Sequence, residues 1–282
     1  MPLNIKNPGI VAGGNLKLTG VGSNFNLKVA PPATPEVPVQ WSDYMLAWYR
    51  SDNITVDSSH VVQMLDKSGN GRHLGIDGTP ATVAPLLVSG DSDFNGHDSL
   101  SFNGTTQWLS GSIWNLGGAT GVGYVIYTAF KPLSFDDDQD ALWNITGDLS
   151  TNPPGGNYAH IDQNSLRFAG GSFIGYSPNF VAGNKYYAAV SIATGSWEHT
   201  QVRINGAFPQ NYPDSNGYAY NPVDYGLSMP TALSIARFAK PSGYPYPYWS
   251  NMKMTEMLIF SGTLPPTGKT SIETYLAGRY SI

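Results

Sequence analysis

The sequence predicts a large all-β domain, a β-sandwich, that ends in one short helix. Among its 282 residues are 32 glycines and 21 prolines, and only 12% are charged, a composition typical of many short strands joined by tight turns. Residues 254–260 alternate between two faces as a strand does. After a Gly/Pro turn, residues 272–280 carry large apolar side chains at helical spacing.

The first 30 residues differ from the rest and are predicted to form an extended β arm. They contain two short alternating runs, residues 15–18 and 25–29. A lone two-stranded hairpin is at best marginally stable in water, so we expect the arm to dock on another chain by strand addition. Folding back onto its own domain, or remaining unstructured, are the alternatives. The side chains predicted to dock are Leu16, Leu18, Phe25, Leu27 and Val29.

A proline-rich linker follows the arm at residues 31–40. Its prolines cannot continue a sheet ladder and favour a stiff, extended spacer. The remaining residues, 41–282, are long enough for one complete sandwich. The sequence therefore predicts an arm, a spacer and a single large domain.

The last strand and the helix are the most regular part of this domain. One face of the strand is predicted to carry Met254, Glu256, Leu258 and Phe260, and the other Thr255, Met257 and Ile259. The helical positions are Ile272, Tyr275, Leu276 and Tyr280. Three aromatic residues in strand-like runs, Trp48, Phe102 and Trp143, are predicted to belong to the core.

Two blocks of sequence resemble the concanavalin A-like lectin/glucanase (LamG-like) superfamily. Residues 48–52 (WYRSD), 62–73 (VQMLDKSGNGRH) and 101–105 (SFNGT) are similar to its opening strand, D-x-S-G-N-G-x-H turn and x-F-x-G strand. Residues 252–282 resemble its closing strand, turn and helix, which ends in a YLA-x-(K/R)-Y-x-I pattern. Residues 203–206 resemble its strand followed by an Asn-Gly turn. The resemblance implies a concanavalin A-like jelly roll with a short C-terminal helix.

The sequence does not predict catalysis. Glycosidases of that superfamily use two neighbouring glutamates, one as acid and one as nucleophile or stabiliser. The four glutamates here, Glu36, Glu198, Glu256 and Glu273, are far apart in the sequence. The chain also lacks an H-E-x-x-H motif, a G-x-S-x-G elbow and a phosphate-binding loop. We therefore expect a protein that is not an enzyme.

Two acidic segments are candidates for binding calcium, which prefers oxygen ligands. One contains Asp136 and Asp138, and the alternative there is a solvated loop. The other is the turn with Asp66 and Asn70, where members of the resembling family can hold calcium. There the sequence favours a structural turn, because Asp66 and Asn70 suit side-chain to backbone bonds and Gly69 and Gly71 tolerate positive φ.

Carbohydrate binding is predicted for two aromatic, proline-containing segments. Exposed aromatic faces stack on the apolar side of sugars. Prolines keep such segments out of central strands, so their rings are expected in loops. The candidates are Tyr244, Tyr246, Tyr248 and Trp249 in one segment, and Tyr212 and Tyr218 in the other. The alternatives are packing over the end of the sandwich and contact between subunits.

Charge and composition narrow the possible partners. The net charge is −5 and the 15 lysines and arginines are scattered, so nucleic acid is not expected as a partner. No cysteine is present, and no apolar stretch is long enough to predict a membrane span. Arms joined to compact heads are common in symmetric assemblies, so a homo-oligomer is expected.

The sequence is compatible with two main functions. The first is a bacteriophage virion protein, a capsid decoration, head fibre or tail appendage, assembled in the host cytoplasm. Its arm would bind other virion proteins, and its lectin-like domain would face outward toward cell-surface glycans. The second is a free carbohydrate-binding lectin module. A polysaccharide-degrading enzyme is a third alternative, less favoured than either. Because a fold does not determine a function, the choice depends on the site.

Overall fold

The structure is a computed structural model that describes fourteen segments of the chain. They are residues 16–17, 26–27, 39–76, 80–112, 123–135, 140–146, 157–162, 165–169, 173–176, 180–192, 201–207, 232–238, 248–262 and 264–282. The chain divides into two compact units, Met1–Glu36 and Val37–Ile282. Within the described residues, no helix has the length and apolar character needed to cross a membrane.

In the first unit the structure describes one pair of short strands, β1 (Leu16–Lys17) and β2 (Asn26–Leu27). They are antiparallel, and Leu16 pairs with Leu27. This agrees with the hairpin predicted for the arm. Its other predicted docking residues, Leu18, Phe25 and Val29, lie outside the described residues.

The second unit is all-β with one C-terminal helix, which confirms the predicted class. Its first strands are β3 (Met45–Asp57), β4 (His60–Asp66), β5 (Leu74–Gly75), β6 (Leu86–Asp91), β7 (His97–Asn103), β8 (Leu109–Ser112), β9 (Tyr124–Pro132) and β10 (Asp140–Thr146). They are followed by β11 (Asn157–Asp162), β12 (Ser165–Ala169), β13 (Phe173–Tyr176), β14 (Tyr186–Ile192) and β15 (Gln201–Ile204). The last are β16 (Ala232–Ile235), β17 (Arg237–Phe238), β18 (Tyr248–Trp249) and β19 (Asn251–Ser261).

Helical structure is limited to short segments and one longer helix. Three 3-10 helices span Val39–Tyr44, Ala81–Val83 and Ser92–Phe94. The α-helix α1 spans Pro266–Tyr280. Proline at its first position suits a helix start, because that residue has no amide hydrogen to leave unpaired.

Fifteen of the described strands form one hydrogen-bonded network rather than separate sheets. Its order is β13-β12-β11-β10-β16-β8-β5-β4-β6-β7-β19-β9-β14-β15, and β3 pairs with both β19 and β4. Strands β17 and β18 form a separate two-stranded sheet. The pairings place β4, β5, β8, β16 and β10 side by side, and these five strands carry the candidate site.

The main core lies between this five-strand region and the strands around β19. It contains Leu109, Trp143 and Ile235 from one side and Met254 and Ile259 from the other, and each is at most 1% exposed. A second core lies on the opposite face of β19, β9 and β14, against α1. Strands such as β9 are therefore buried on both faces, which explains their nearly continuous apolar sequence.

The predicted helix and most predicted core residues are confirmed. Ile272, Tyr275, Leu276 and Tyr280 are all buried in the second core. Phe102 and Trp143 are buried as expected. Trp48 is only partly buried, and it packs against the second core.

One prediction about the last strand is wrong. Met254 does not share a face with Leu258 and Phe260, because it belongs to the main core with Met257 and Ile259. The cause is a register shift between Met254 and Glu256 in the pairing of β19 with β9. The extra residue reverses the alternation, as a β-bulge does.

Candidate functional site

A row of four polar residues and one glycine crosses five neighbouring strands on the face that points away from the main core. Gln63 pairs with Gly75, Gly75 with Ser110, Ser110 with Ser234, and Ser234 with Asn144. We call these five residues the polar row. Directly paired residues of antiparallel strands share a face, so the five lie side by side. At ~4.8 Å between strands, the row is roughly 19 Å long.

The opposite face of the same strands is the apolar core. Leu109 pairs with Ile235, which pairs with Trp143, and all three are buried. Because side chains alternate along a strand, burying these residues forces Ser110 and Ser234 to the other face. The local sequences LSGS, ALSI and LWNI of three separate strands thus combine into one polar surface.

Small residues let the strands approach closely beneath this surface. A β-carbon at Gly111 would lie 2.5 Å from the His73 carbonyl oxygen, closer than real atoms pack. A β-carbon at Gly75 would lie 3.3 Å from the Val62 carbonyl oxygen. Any larger residue at Gly111 would separate β8 from β5 and break the row between Ser110 and Gly75.

Asn144 is the unusual member of the polar row. It is 0% exposed, and neither its Nδ2 nor its Oδ1 has a hydrogen-bond partner. A buried amide without partners costs free energy, on the order of 1–3 kcal/mol. The other four members are half-buried and accessible. Asn144 is closed to solvent, so a hydroxyl-rich ligand can contact the row only through its accessible side chains, Gln63, Ser110 and Ser234.

Two tryptophans and an arginine lie close to the strands that carry the row. The Arg237 guanidinium carbon lies 4.8 Å from the ring centroid of Trp108 and 5.3 Å from that of Trp249. We call these three residues the Trp–Arg stack. Trp108 directly precedes β8, and Arg237 pairs with Trp249 between β17 and β18. All three side chains are half-buried.

The backbone before Arg237 is strained. Ala236 has φ 60°, a left-handed conformation that is uncommon for residues other than glycine. It separates β16, which carries Ser234, from β17, which carries Arg237. Strain of this kind costs on the order of 1–3 kcal/mol and is concentrated at functional sites. The kink therefore marks the junction of the polar row and the Trp–Arg stack as a candidate site.

Burial also affects the pKa of Arg237, the charged residue of the Trp–Arg stack. Partial burial lowers the pKa of the Arg237 guanidinium, and its Nε atom has no hydrogen-bond partner. The two indoles provide cation–π contacts, which stabilise a cation but do not neutralise it. The guanidinium is thus held in place by aromatic rings.

Of the predicted carbohydrate-binding residues, Trp249 belongs to the Trp–Arg stack. Tyr248 lies in β18, directly before it. Tyr212, Tyr218, Tyr244 and Tyr246 lie outside the described residues. Trp108, Arg237 and the polar row were not predicted from the sequence. The alternation of serine and asparagine with apolar residues in β8, β16 and β10 was the pattern that could have indicated them.

The calcium candidate at Asp66 has the contacts of a structural turn. Its Oδ1 accepts hydrogen bonds from the Trp48 and Ser68 amides, and its Oδ2 accepts from Ser68 Oγ and the Arg72 amide. Asn70 donates its Nδ2 hydrogens to the carbonyls of Met45 and Leu46.

The glycines of this turn have the positive φ that the sequence predicts, 86° at Gly69 and 71° at Gly71. In the described part of the chain, no group of three or more acidic or histidine side chains could hold a metal ion. Asp136 and Asp138 lie outside it, and calcium binding stays a prediction.

Two of the four glutamates can be placed, and both have structural partners. Glu256 accepts hydrogen bonds from Trp48 Nε1 and from the hydroxyls of Tyr275 and Tyr280. Glu273 forms an ion pair of 2.9 Å with Arg203. Neither residue belongs to the polar row or to the Trp–Arg stack.

No protein-family model and no curated protein matches the sequence. The fold is similar to that of Trypanosoma rangeli sialidase in complex with 2,3-difluoro-KDN, with a TM-score of 0.55 and 13% identity over 88% of this chain. The chain spans only 36% of that sialidase chain. It is also similar to the binding domain of Paraclostridial Mosquitocidal Protein 1, with a TM-score of 0.53 and 10% identity. That likeness covers 84% of this chain and 52% of the other. At such low identity, these similarities concern the fold alone.

Proposed function

We propose that residues 37–282 form a non-catalytic glycan-binding domain whose ligand lies along the polar row and contacts the tryptophans of the Trp–Arg stack. The observation that carries the proposal is the row of accessible polar side chains, Gln63, Ser110 and Ser234, beside the half-buried indoles of the Trp–Arg stack. Sugars present hydroxyls that both donate and accept hydrogen bonds, as this row requires. We also propose that the fold of this domain is a concanavalin A-like jelly roll.

The shape of the site favours an extended ligand. In the centre of the row, Gly75 has no side chain and Ser110 and Ser234 have short ones, which leaves a shallow surface, and the row is roughly 19 Å long. Half-buried indoles beside it offer rigid apolar faces for stacking. A polysaccharide segment fits these features better than a single sugar does. The similarity in fold to a sialidase and to a toxin's binding domain is compatible with this proposal.

The site can be tested by measuring polysaccharide affinity for the whole chain and two variants. Trp249→Ala removes a stacking face, and Ser234→Leu fills the centre of the row with an apolar side chain. We expect each to weaken binding about tenfold or more, equivalent to about 1.4 kcal/mol. Val181→Ala, which shortens an exposed hydrophobic residue outside the site, is the control. Unchanged affinity in both site variants, in chains with normal melting temperatures, would contradict the proposal.

The N-terminal unit supports a second part of the proposed function. Residues 1–36 form a compact unit separate from the glycan-binding unit, and β1 and β2 pair within it. We infer that this unit anchors the protein to a larger assembly, with a virion as the proposed particle. In that arrangement the arm contacts capsid or tail proteins, and the protein lies on the virion surface as a homo-oligomer. The second unit is then displayed for binding host glycans.

A further inference from the structure

Several cations of this domain pair with carboxylates, and in the described part of the chain Arg237 does not. Arg50 Nε lies 2.7 Å from Asp52, and Arg203 lies 2.9 Å from Glu273. Lys253 lies 2.8 Å from Asp93. Among the described residues, no carboxylate pairs with Arg237. Its charge is therefore half-buried between aromatic rings without a compensating anion.

The geometry of the stack leaves one kind of contact open. Cation–π contacts use the flat faces of the guanidinium, whereas its five N–H donors lie in the plane at its rim. Nε is buried and lacks a partner, so a ligand would reach the guanidinium through its terminal N–H groups. A planar carboxylate matches this rim, because two of its oxygens can accept parallel hydrogen bonds from one guanidinium. Partial removal from water strengthens such a pair relative to an exposed one.

The stack is also adjacent to groups that suit the uncharged part of a sugar. Ser234 lies three residues before Arg237, and Trp249 is paired directly with it. One sugar ring could contact an indole face while its acid group reaches the guanidinium. The net charge of −5 makes an anionic ligand unfavourable over the molecule as a whole, so a local cation is needed to accept one.

We propose that the glycan bound by this domain is acidic, and that Arg237 pairs with the carboxylate of a uronate-type sugar. This inference rests on the proposed function, because it assigns the chemical class of ligand at the same site. The tryptophans position the guanidinium, and the polar row binds the neutral hydroxyls that continue from the acidic unit.

The test compares polygalacturonate with neutral galactan, and dextran sulfate with dextran, for the whole chain and two variants. Arg237→Gln removes the charge, and Arg237→Lys retains it without the planar fork. We expect polygalacturonate to bind at least tenfold more tightly than galactan, and the preference to decrease at high salt. Arg237→Gln should lose most of this preference and Arg237→Lys part of it, whereas Val181→Ala, outside the site, should keep the preference in full.

Each other outcome has a distinct meaning. Equal affinity for polygalacturonate and galactan, unaffected by Arg237→Gln, overturns the acidic-ligand inference and leaves the proposed function in place. Equal affinity for dextran sulfate and polygalacturonate overturns the assignment of a carboxylate. A parallel loss of galactan binding in Arg237→Gln indicates a purely structural stack, which also overturns the inference. Failure to bind any polysaccharide removes the proposed function itself.

Discussion

Glu256 shows how one buried residue connects three elements of this fold. It is 0% exposed in β19, and its carboxylate oxygens contact Trp48 of β3 and Tyr275 and Tyr280 of α1. Burial raises the pKa of Glu256, and the hydrogen bonds from Tyr280 and Trp48 oppose that shift. The hydroxyl of Tyr275, 3.0 Å from both oxygens, can accept as well as donate, so it can serve the protonated carboxyl too.

This shift predicts a pH-dependent contribution to stability. Because the folded-state pKa of Glu256 lies above its ordinary value of 4.5, its contribution is fully present below that value. It is lost as the pH rises through the folded-state pKa. Glu256→Gln removes the titration, so we expect the variant to gain stability relative to the unchanged chain between pH 4 and pH 7. Urea unfolding at several pH values measures the difference.

The control for this experiment is Asp43→Asn, which changes an exposed acid. It removes one negative charge from the surface and so shows the effect of a change in net charge alone. Parallel curves for Glu256→Gln and the unchanged chain would show that the carboxyl of Glu256 does not titrate differently in the folded state.

At the scale of elements, the sequence predicted β19 and α1 because their periodicities are regular and long. It missed the register shift between Met254 and Glu256 for a physical reason. β19 is buried on both faces, so an extra residue moves one apolar side chain from one core to the other. Both cores are apolar, so the sequence shows no change in polarity at the register shift. By contrast, the Asp66 turn was predictable, because its bonds are local in the chain.

Helix α1 offers two substitutions with opposite expected effects. Leu276 is fully buried in the second core, so Leu276→Ala should destabilise the fold by about 2–5 kcal/mol. Gly278 is exposed, and nothing lies within 4 Å of an added β-carbon. Gly278→Ala should stabilise it by about 0.5–1 kcal/mol through helix propensity. Chemical denaturation of both variants measures the two changes. A destabilising Gly278→Ala would contradict the placement of that helix face in solvent.

At the scale of the whole molecule, the class of fold was predictable but most of the candidate site was not. The polar row combines residues from β4, β5, β8, β16 and β10, which are far apart in the sequence and adjacent only through strand pairing. A lone serine in a strand carries no information about its cross-strand neighbour. Trp249 was predicted because it belongs to a dense aromatic segment. Trp108 and Arg237 do not lie in such a segment.

The division of the chain into two units predicts that they can be separated. Deleting residues 1–30 removes most of the first unit and none of the described residues of the second. We expect the shortened chain to keep its melting temperature and its polysaccharide affinity, because both depend on residues 37–282. We also expect it to lose assembly, since the arm is the proposed docking segment. Light scattering should show an oligomer for the full chain and a monomer for the shortened one.

Co-sedimentation with particles from the natural source, stripped of this protein, tests the anchor directly. The full chain should sediment with the particles and the shortened chain should remain in solution. A matched variant of the full chain, Leu16→Asp with Leu27→Asp, places charges on the paired positions of β1 and β2 and should also remain in solution. Equal sedimentation of all three would show that the second unit, not the arm, binds the particle. The anchoring role proposed for the arm would then be wrong.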